Sequence, residues 1–203
     1  MPHRDDETTG MRHLDAQLAR FDKELREHVG LKSDVTTKVA TTVAAELRFL
    51  PVDAKSLILQ ASPVRIGDRL SELKAFQAFM DLQATYGTAP AAIVRAQVLY
   101  QNYICFVYLG EALFKVLSKS VPPASVTRKC ARFLTDNPVR AFRNAIAHGN
   151  WRYRDDFTGL VFWARKGGDP SEELHRFEVE QHELDFWQAL SRGVAYSAYF
   201  HLS

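Results

Sequence analysis

The chain has 203 residues, of which 46% are hydrophobic and 25% charged, so a globular domain can form without disulfide or metal staples. Its formal net charge is only +2, which gives no argument from overall charge for a nucleic-acid binder. The two cysteines, Cys105 and Cys130, have no CxxC spacing and fit neither a disulfide framework nor a zinc site.

Helices are predicted for most of the first two thirds of the chain. Residues 1–10 are polar and are predicted to be a disordered tail. From about Met11 to Val29 apolar residues recur every three or four positions, which indicates an amphipathic helix that ends at Gly30. Further helices are predicted over 34–50, 68–86, 90–118 and 125–134, with a stretch that is mostly loop from Val52 to Ile66.

The last third of the chain combines a short helix with strand signals. Asn137 is an N-cap candidate, Pro138 suits a first helical position and Gly149 follows the last turn, so a helix is predicted from Pro138 to His148. Residues 159–164 and 175–180 read as strands around Gly and Pro turn residues, which predicts a β-hairpin over about 159–180. A final helix is predicted over 182–202.

These elements predict a mainly α protein. Residues 11–203 are expected to form one helical-bundle domain decorated by the small late hairpin. No secretory leader is evident, and the apolar stretch from Val98 to Leu109 is shorter than the about 20 residues that a bilayer-spanning helix needs. The expectation is a cytoplasmic protein with no membrane partner.

Charge is unevenly distributed along the chain. Seven basic residues and one acid lie between Arg128 and Arg154, whereas seven acids and one arginine lie between Asp169 and Asp185. A locally basic stretch on a nearly neutral chain can attract phosphate groups. Two differently charged solvated faces explain the same pattern equally well.

The short helix carries a polar stripe. At a helical spacing of four residues, Arg140, Asn144 and His148 share one side, and Arg143 lies beside them. His148 stands in the last turn, where the helix dipole favours a protonated imidazole. An arginine fork and a titratable histidine on one helix can together bind a phosphate and move a proton.

The segment FRNAIAHGNW, in which Arg143 and His148 form an Arg-x4-His pair with Asn144 directly after the arginine, resembles the motif of the HEPN superfamily. Direct resemblance covers about 15 residues, Pro138 to Arg152. The family consists of small helical-bundle proteins in toxin–antitoxin, abortive-infection and CRISPR-linked systems and in some RNA-processing enzymes. It implies a metal-independent endoribonuclease whose cleft forms between two protomers.

The resemblance implies roles for individual residues. His148 would handle the proton, Arg143 would clamp the scissile phosphate, and Asn144 would orient His148 or the substrate. The basic neighbours Arg140, Arg152 and Arg154 would hold flanking phosphates of the RNA. The implied partners are RNA, a second copy of the chain, and an antitoxin or nucleotidyltransferase protein; no cofactor or metal is expected.

Other interpretations of the same residues stay open. Arg143 and His148 can instead cap helix carbonyls and pair with acids such as Asp155 or Asp156. Trp151 and Tyr153 can stack on a base, although packing in the core is the favoured interpretation. The protein as a whole can be a non-catalytic RNA- or nucleotide-binding or regulatory domain of the same fold. It can also be a structural domain that dimerises through the apolar 98–109 face.

Overall fold

The structure is a computed structural model that describes residues 15–32, 36–60, 66–86, 99–156, 158–165 and 170–202. Within these ranges it contains eight helices and one three-stranded antiparallel sheet, so the prediction of a mainly α protein with a small late β element is confirmed. The predicted disordered tail at 1–10 lies outside the described residues.

Four helices make up the N-terminal half. Helix α1 covers residues 15–29 and ends in the π-helical turn Leu25–Val29, followed by Gly30 at φ 68° as expected for a helix stop. Helices α2, α3 and α4 are Thr36–Arg48, Val52–Gln60 and Ile66–Tyr86. The prediction that Val52 to Ile66 is mostly loop is therefore wrong. Pro51 opens α3 by accepting a hydrogen bond from the Lys55 amide, and the fully buried Ile58 attaches the helix to the core.

The long central helix, α5, is described from 99 to 120. It contains two π-helical segments, Tyr103–Tyr108 and Gly110–Phe114, before it returns to α-helix at Lys115–Ser120. Each wider turn rotates the residues that follow around the helix axis, and such bulges are frequent at functional sites. The start of α5 predicted near residue 90 lies outside the described residues.

Helices α6 (Val126–Thr135) and α7 (Val139–His148) follow α5. The predicted N-cap role of Asn137 is wrong, because Pro138 occupies that position without a side-chain cap, and the Arg140 amide donates to the backbone carbonyl of Asp136. Gly149 ends α7 at φ 70°, as predicted. The C-terminal helix α8 is Gln181–Leu202.

The sheet lies between α7 and α8 in the chain. Strands β2 (Gly159–Ala164) and β3 (His175–Glu180) pair antiparallel and confirm the predicted hairpin. The sequence analysis did not predict β1 (Trp151–Tyr153), which pairs antiparallel with the other edge of β2. Three residues give too little alternation for a strand to be recognised.

Buried side chains from all of these elements form one hydrophobic core. Phe142 of α7 lies in an aromatic cluster in which ring centroids are 5.6 Å from Phe106, 5.2 Å from Phe162 and 5.8 Å from Trp187. These contacts fix α7 against α5, β2 and α8 at once. Among the described helices, none is both long and apolar enough to cross a membrane.

Candidate functional site

Helix α7 has one buried face and one face that carries its polar residues. The buried face consists of Val139, Phe142, Ala145 and Ile146. Arg143 directly follows Phe142, so the aromatic cluster determines where the arginine side chain begins. Arg140 and His148 are exposed and Asn144 is half-buried, as the predicted polar stripe requires.

Arg143 is held by an ion pair and two hydrogen bonds. Its side chain is 22% exposed, and one terminal nitrogen forms an ion pair with the Glu111 carboxylate of α5. Its Nε and the other terminal nitrogen donate to Oδ1 of Asn144 at 3.3 and 3.1 Å. Three of the five guanidinium N–H groups are thereby used, and the other two have no acceptor among the described residues and can serve an incoming anion.

Glu111 is a site residue that the sequence analysis did not identify. It lies in the second π-helical segment of α5, and its other carboxylate oxygen accepts from Lys115 at 2.9 Å. The hydrogen bond from Lys115 and the positive charges of Lys115 and Arg143 lower the pKa of Glu111. The carboxylate therefore stays ionised and balances part of the arginine charge. A glutamate inside a largely apolar helix was the available sequence signal.

The backbone of α5 also shapes the position of Arg143. A Cβ atom built on Gly110 would lie 3.5 Å from Cδ of Arg143, which is ordinary van der Waals contact. The arginine stem thus crosses α5 beside a residue without a side chain. A methyl group fits at this position, whereas a longer side chain would compete with the arginine for the same space.

His148 is separated from this cluster. It is exposed at the end of α7, and no hydrogen bond or ion pair joins it to any other described residue. On an α-helix, positions 143 and 148 lie about 140° apart around the axis and about 7.5 Å apart along it. The structure joins Arg143 to Asn144 by hydrogen bonds, whereas no hydrogen bond among the described residues joins the His148 side chain to either of them.

The predicted phosphate-binding residues beyond α7 lie on and after β1. Arg152 pairs with Asp155 at 3.3 Å, and Arg154 pairs with Asp156 at 3.4 Å and with Glu178 at 3.8 Å. They line an open pocket of about 260 Å³ together with Arg176 of β3. Three arginines and three acids are among the described residues that line it, so their charges cancel. Asp155 and Asp156 therefore pair with these arginines, while Arg143 pairs with Glu111.

Other parts of the basic stretch serve the fold. Arg128 donates to the Val121 carbonyl at 3.1 Å, and Lys129 donates to the Gly30 carbonyl at 3.5 Å. Trp151 is only 7% exposed and its ring lies 5.7 Å from that of Tyr153, which agrees with the core interpretation of these aromatics. A base would have no open tryptophan face to stack on at this position.

Among the described residues, no three His, Cys, Asp or Glu side chains gather closely enough to hold a metal ion. Comparison with protein-family models, with curated proteins and with solved structures gave no significant match. The interpretation of the site therefore depends on its own geometry and on the resemblance of the α7 motif.

Proposed function

We propose that the chain is a metal-independent endoribonuclease of HEPN type, in which two protomers form one cleft around their α7 helices. The observation that carries the proposal is the held guanidinium of Arg143, with Glu111 and Asn144 as its fixed partners and an exposed His148 at the end of the same helix. The protein would act in the cytoplasm as a toxin or phage-defence effector, and its partner would be an antitoxin or a nucleotidyltransferase protein.

The two free N–H groups of Arg143 suit a phosphate oxygen. A guanidinium oriented before the substrate arrives stabilises the negative charge on the phosphoryl oxygens of the transition state at little reorganisation cost. Asn144 acts here as a positioning residue for Arg143, because its carbonyl oxygen is already directed at the guanidinium. Arg140, at the start of the same helix, would hold a flanking phosphate.

The proposed reaction needs no external nucleophile. The ribose 2′-oxygen forms a bond to phosphorus and the bond from phosphorus to the 5′-oxygen breaks, which leaves a 2′,3′-cyclic phosphate and a 5′-hydroxyl. One group must accept the 2′-hydroxyl proton and another must give a proton to the leaving 5′-oxygen. An imidazole can perform either transfer near neutral pH.

A second protomer supplies what one chain lacks. One α7 helix carries one histidine, and helix geometry places position 148 about 140° around the axis from position 143. A two-fold axis beside α7 would bring two His148 side chains and two Arg143 side chains to one cleft. One histidine would then act as the base and the other as the acid.

The experiment is cleavage of end-labelled tRNA and mRNA in the presence of EDTA. Wild type is expected to cut and to leave 2′,3′-cyclic phosphate ends, and His148→Ala is expected to lose activity by at least about 100-fold. His201→Ala removes an exposed histidine near the end of α8 and is the matched control, with activity expected at the wild-type level. Cleavage that requires added divalent metal would overturn the proposal. Cleavage by His148→Ala that equals cleavage by His201→Ala would overturn it as well.

A non-catalytic role is the second candidate, and two observations favour it. Arg143 already pairs with Glu111, which balances part of its charge, and the His148 side chain has no partner that would orient it among the described residues. A domain that binds RNA or a nucleotide, or regulates a nucleotidyltransferase, needs the arginine but not the proton transfer. RNA binding that depends on Arg143, without cleavage by any variant, would establish this alternative.

A further inference from the structure

A groove lies between α3 and the C-terminal end of α5, on a part of the surface that the proposed cleft does not use. Its volume is about 500 Å³, within the range of protein ligand pockets. The side chains that line it are Leu57, Gln60, Lys115, Val116, Lys119 and Ser120. Leu57 is 56% exposed, so it offers apolar surface to an occupant of the groove.

The charged side chains described in this groove are both basic. Lys115 and Lys119 lie one helical turn apart on α5, and no acid is among the described residues that line the groove. Lys119 has no ion-pair partner within the described part of the chain. An occupant that fills the groove therefore needs aliphatic groups for Leu57 and Val116 and carboxylates for the lysines.

We infer that this groove is the docking site for an acidic amphipathic helix of a partner protein. A helix with leucine-like residues on one side and glutamates or aspartates at its border meets both requirements in the way known for helix-in-groove recognition. RNA fits less well, because the described lining contains no aromatic side chain on which a base could stack.

One lysine connects the groove to the cluster formed by Arg143, Asn144 and Glu111. Lys115 lines the groove and also donates to Glu111, the carboxylate that holds Arg143. A partner carboxylate at Lys115 must compete with Glu111, so binding in the groove and the state of Glu111 are thermodynamically linked. The docking itself does not depend on the proposed ribonuclease function. The linkage can be measured by peptide binding alone, so its failure is distinguishable from a failure of that function.

The first test is selection of helical peptides from a phage-displayed library on the full chain. We expect enrichment of peptides with Leu, Ile or Met at positions i, i+3 and i+7 and an excess of Glu and Asp. Their affinity, measured by fluorescence anisotropy, should fall at least about ten-fold for Leu57→Glu, which places a charge in the groove. Selected peptides without acidic bias, or peptides insensitive to this change, would overturn the inference.

Charge variants provide the second test. Lys119→Met keeps an aliphatic side chain and should weaken the selected peptide about two- to five-fold, whereas Lys74→Met on α4 should have no effect. Glu111→Gln frees Lys115 and should tighten the peptide by a similar factor. Unchanged affinity in Lys119→Met or in Glu111→Gln would contradict the assigned contacts.

RNA or a second copy of the chain in the groove would each give a different experimental result. Loss of affinity for a uridine oligonucleotide in Leu57→Glu and Lys119→Met, without selected acidic peptides, would assign the groove to RNA. Self-association of the wild type that disappears in Leu57→Glu would assign it to a second copy of the chain. Either result would overturn the inference of an acidic helical partner.

Discussion

The carboxylate of Glu111 on α5 and the guanidinium of Arg143 on α7 form an ion pair that joins the two helices. Asn144 holds two further nitrogens of the same guanidinium, so the arginine is oriented before any ligand arrives. Glu111 is in turn held by Lys115. This chain of contacts, and not the isolated motif, defines the candidate site.

Substitution of Arg143 by lysine tests whether the planar guanidinium, with its several N–H donors, is required in addition to the positive charge. A lysine keeps the charge but cannot serve Glu111, Asn144 and a phosphate in fixed directions at once. We expect RNA cleavage by Arg143→Lys to fall at least about 100-fold with little change in melting temperature. Arg140→Lys, at an exposed position of the same helix, is the control and should lose less than about ten-fold. Cleavage by Arg143→Lys at the level of Arg140→Lys would mean that positive charge at position 143 suffices and that the geometry of the guanidinium is not required.

The lowered pKa of Glu111 predicts a pH-dependent contribution to stability. Because the folded-state pKa lies below the ordinary value of 4.5, the stabilisation is present above that pH and is lost as the pH falls through the folded-state pKa. Glu111 is half-exposed, so the contribution at pH 7 should be less than about 1 kcal/mol. Denaturant unfolding should show Glu111→Gln less stable than wild type at pH 7, with a difference that shrinks as the pH falls below the ordinary pKa of 4.5. A difference that persists at low pH would contradict the ion-pair explanation.

Gly110 offers a test of how α5 positions Arg143. An alanine methyl would make ordinary contact with the arginine stem, so Gly110→Ala should keep cleavage and gain up to about 1 kcal/mol from helix propensity. Gly110→Leu places atoms where the arginine stem lies and should lower cleavage about ten-fold or more. Thermal unfolding checks that both variants fold. Equal cleavage by both would show that the Arg143 stem does not need this space.

The two cysteines report on the integrity of the core around the site. Burial raises the pKa of Cys105 to about 11 and that of Cys130 to about 12, and both side chains are fully buried. Neither thiol should react with Ellman's reagent at pH 8 in the native protein, and both should react after guanidinium unfolding. Rapid reaction of either thiol in the native state would mean that the α5 or α6 core opens readily.

Many helix positions were predictable because residues that typically begin or end a helix mark them in the sequence. Gly30 and Gly149 both adopt positive φ at the helix ends where the sequence placed them. The buried strand pattern of 159–164 and the alternation of 175–180 sufficed for the hairpin. Such features depend on residues close in sequence, so one chain read alone reveals them.

The remaining features depend on contacts between distant parts of the chain. Helix α3 has a single buried residue, Ile58, so its sequence shows no amphipathic period. Glu46 of α2 accepts from the Val126 and Thr127 amides at 2.8 Å and caps α6 across 80 residues, which local rules cannot anticipate. Glu111 likewise acquires its role only through α7.

The central claim is that His148 from two protomers serves one phosphodiester. The most direct measurement mixes wild type and His148→Ala under conditions in which subunits exchange and follows RNA cleavage in EDTA at constant total protein. If both histidines are required, activity falls with the square of the wild-type fraction, to about one quarter at equal amounts. A linear fall to about one half would mean that each protomer acts alone, which would contradict the two-protomer cleft. Activity independent of the ratio would contradict any catalytic role of His148.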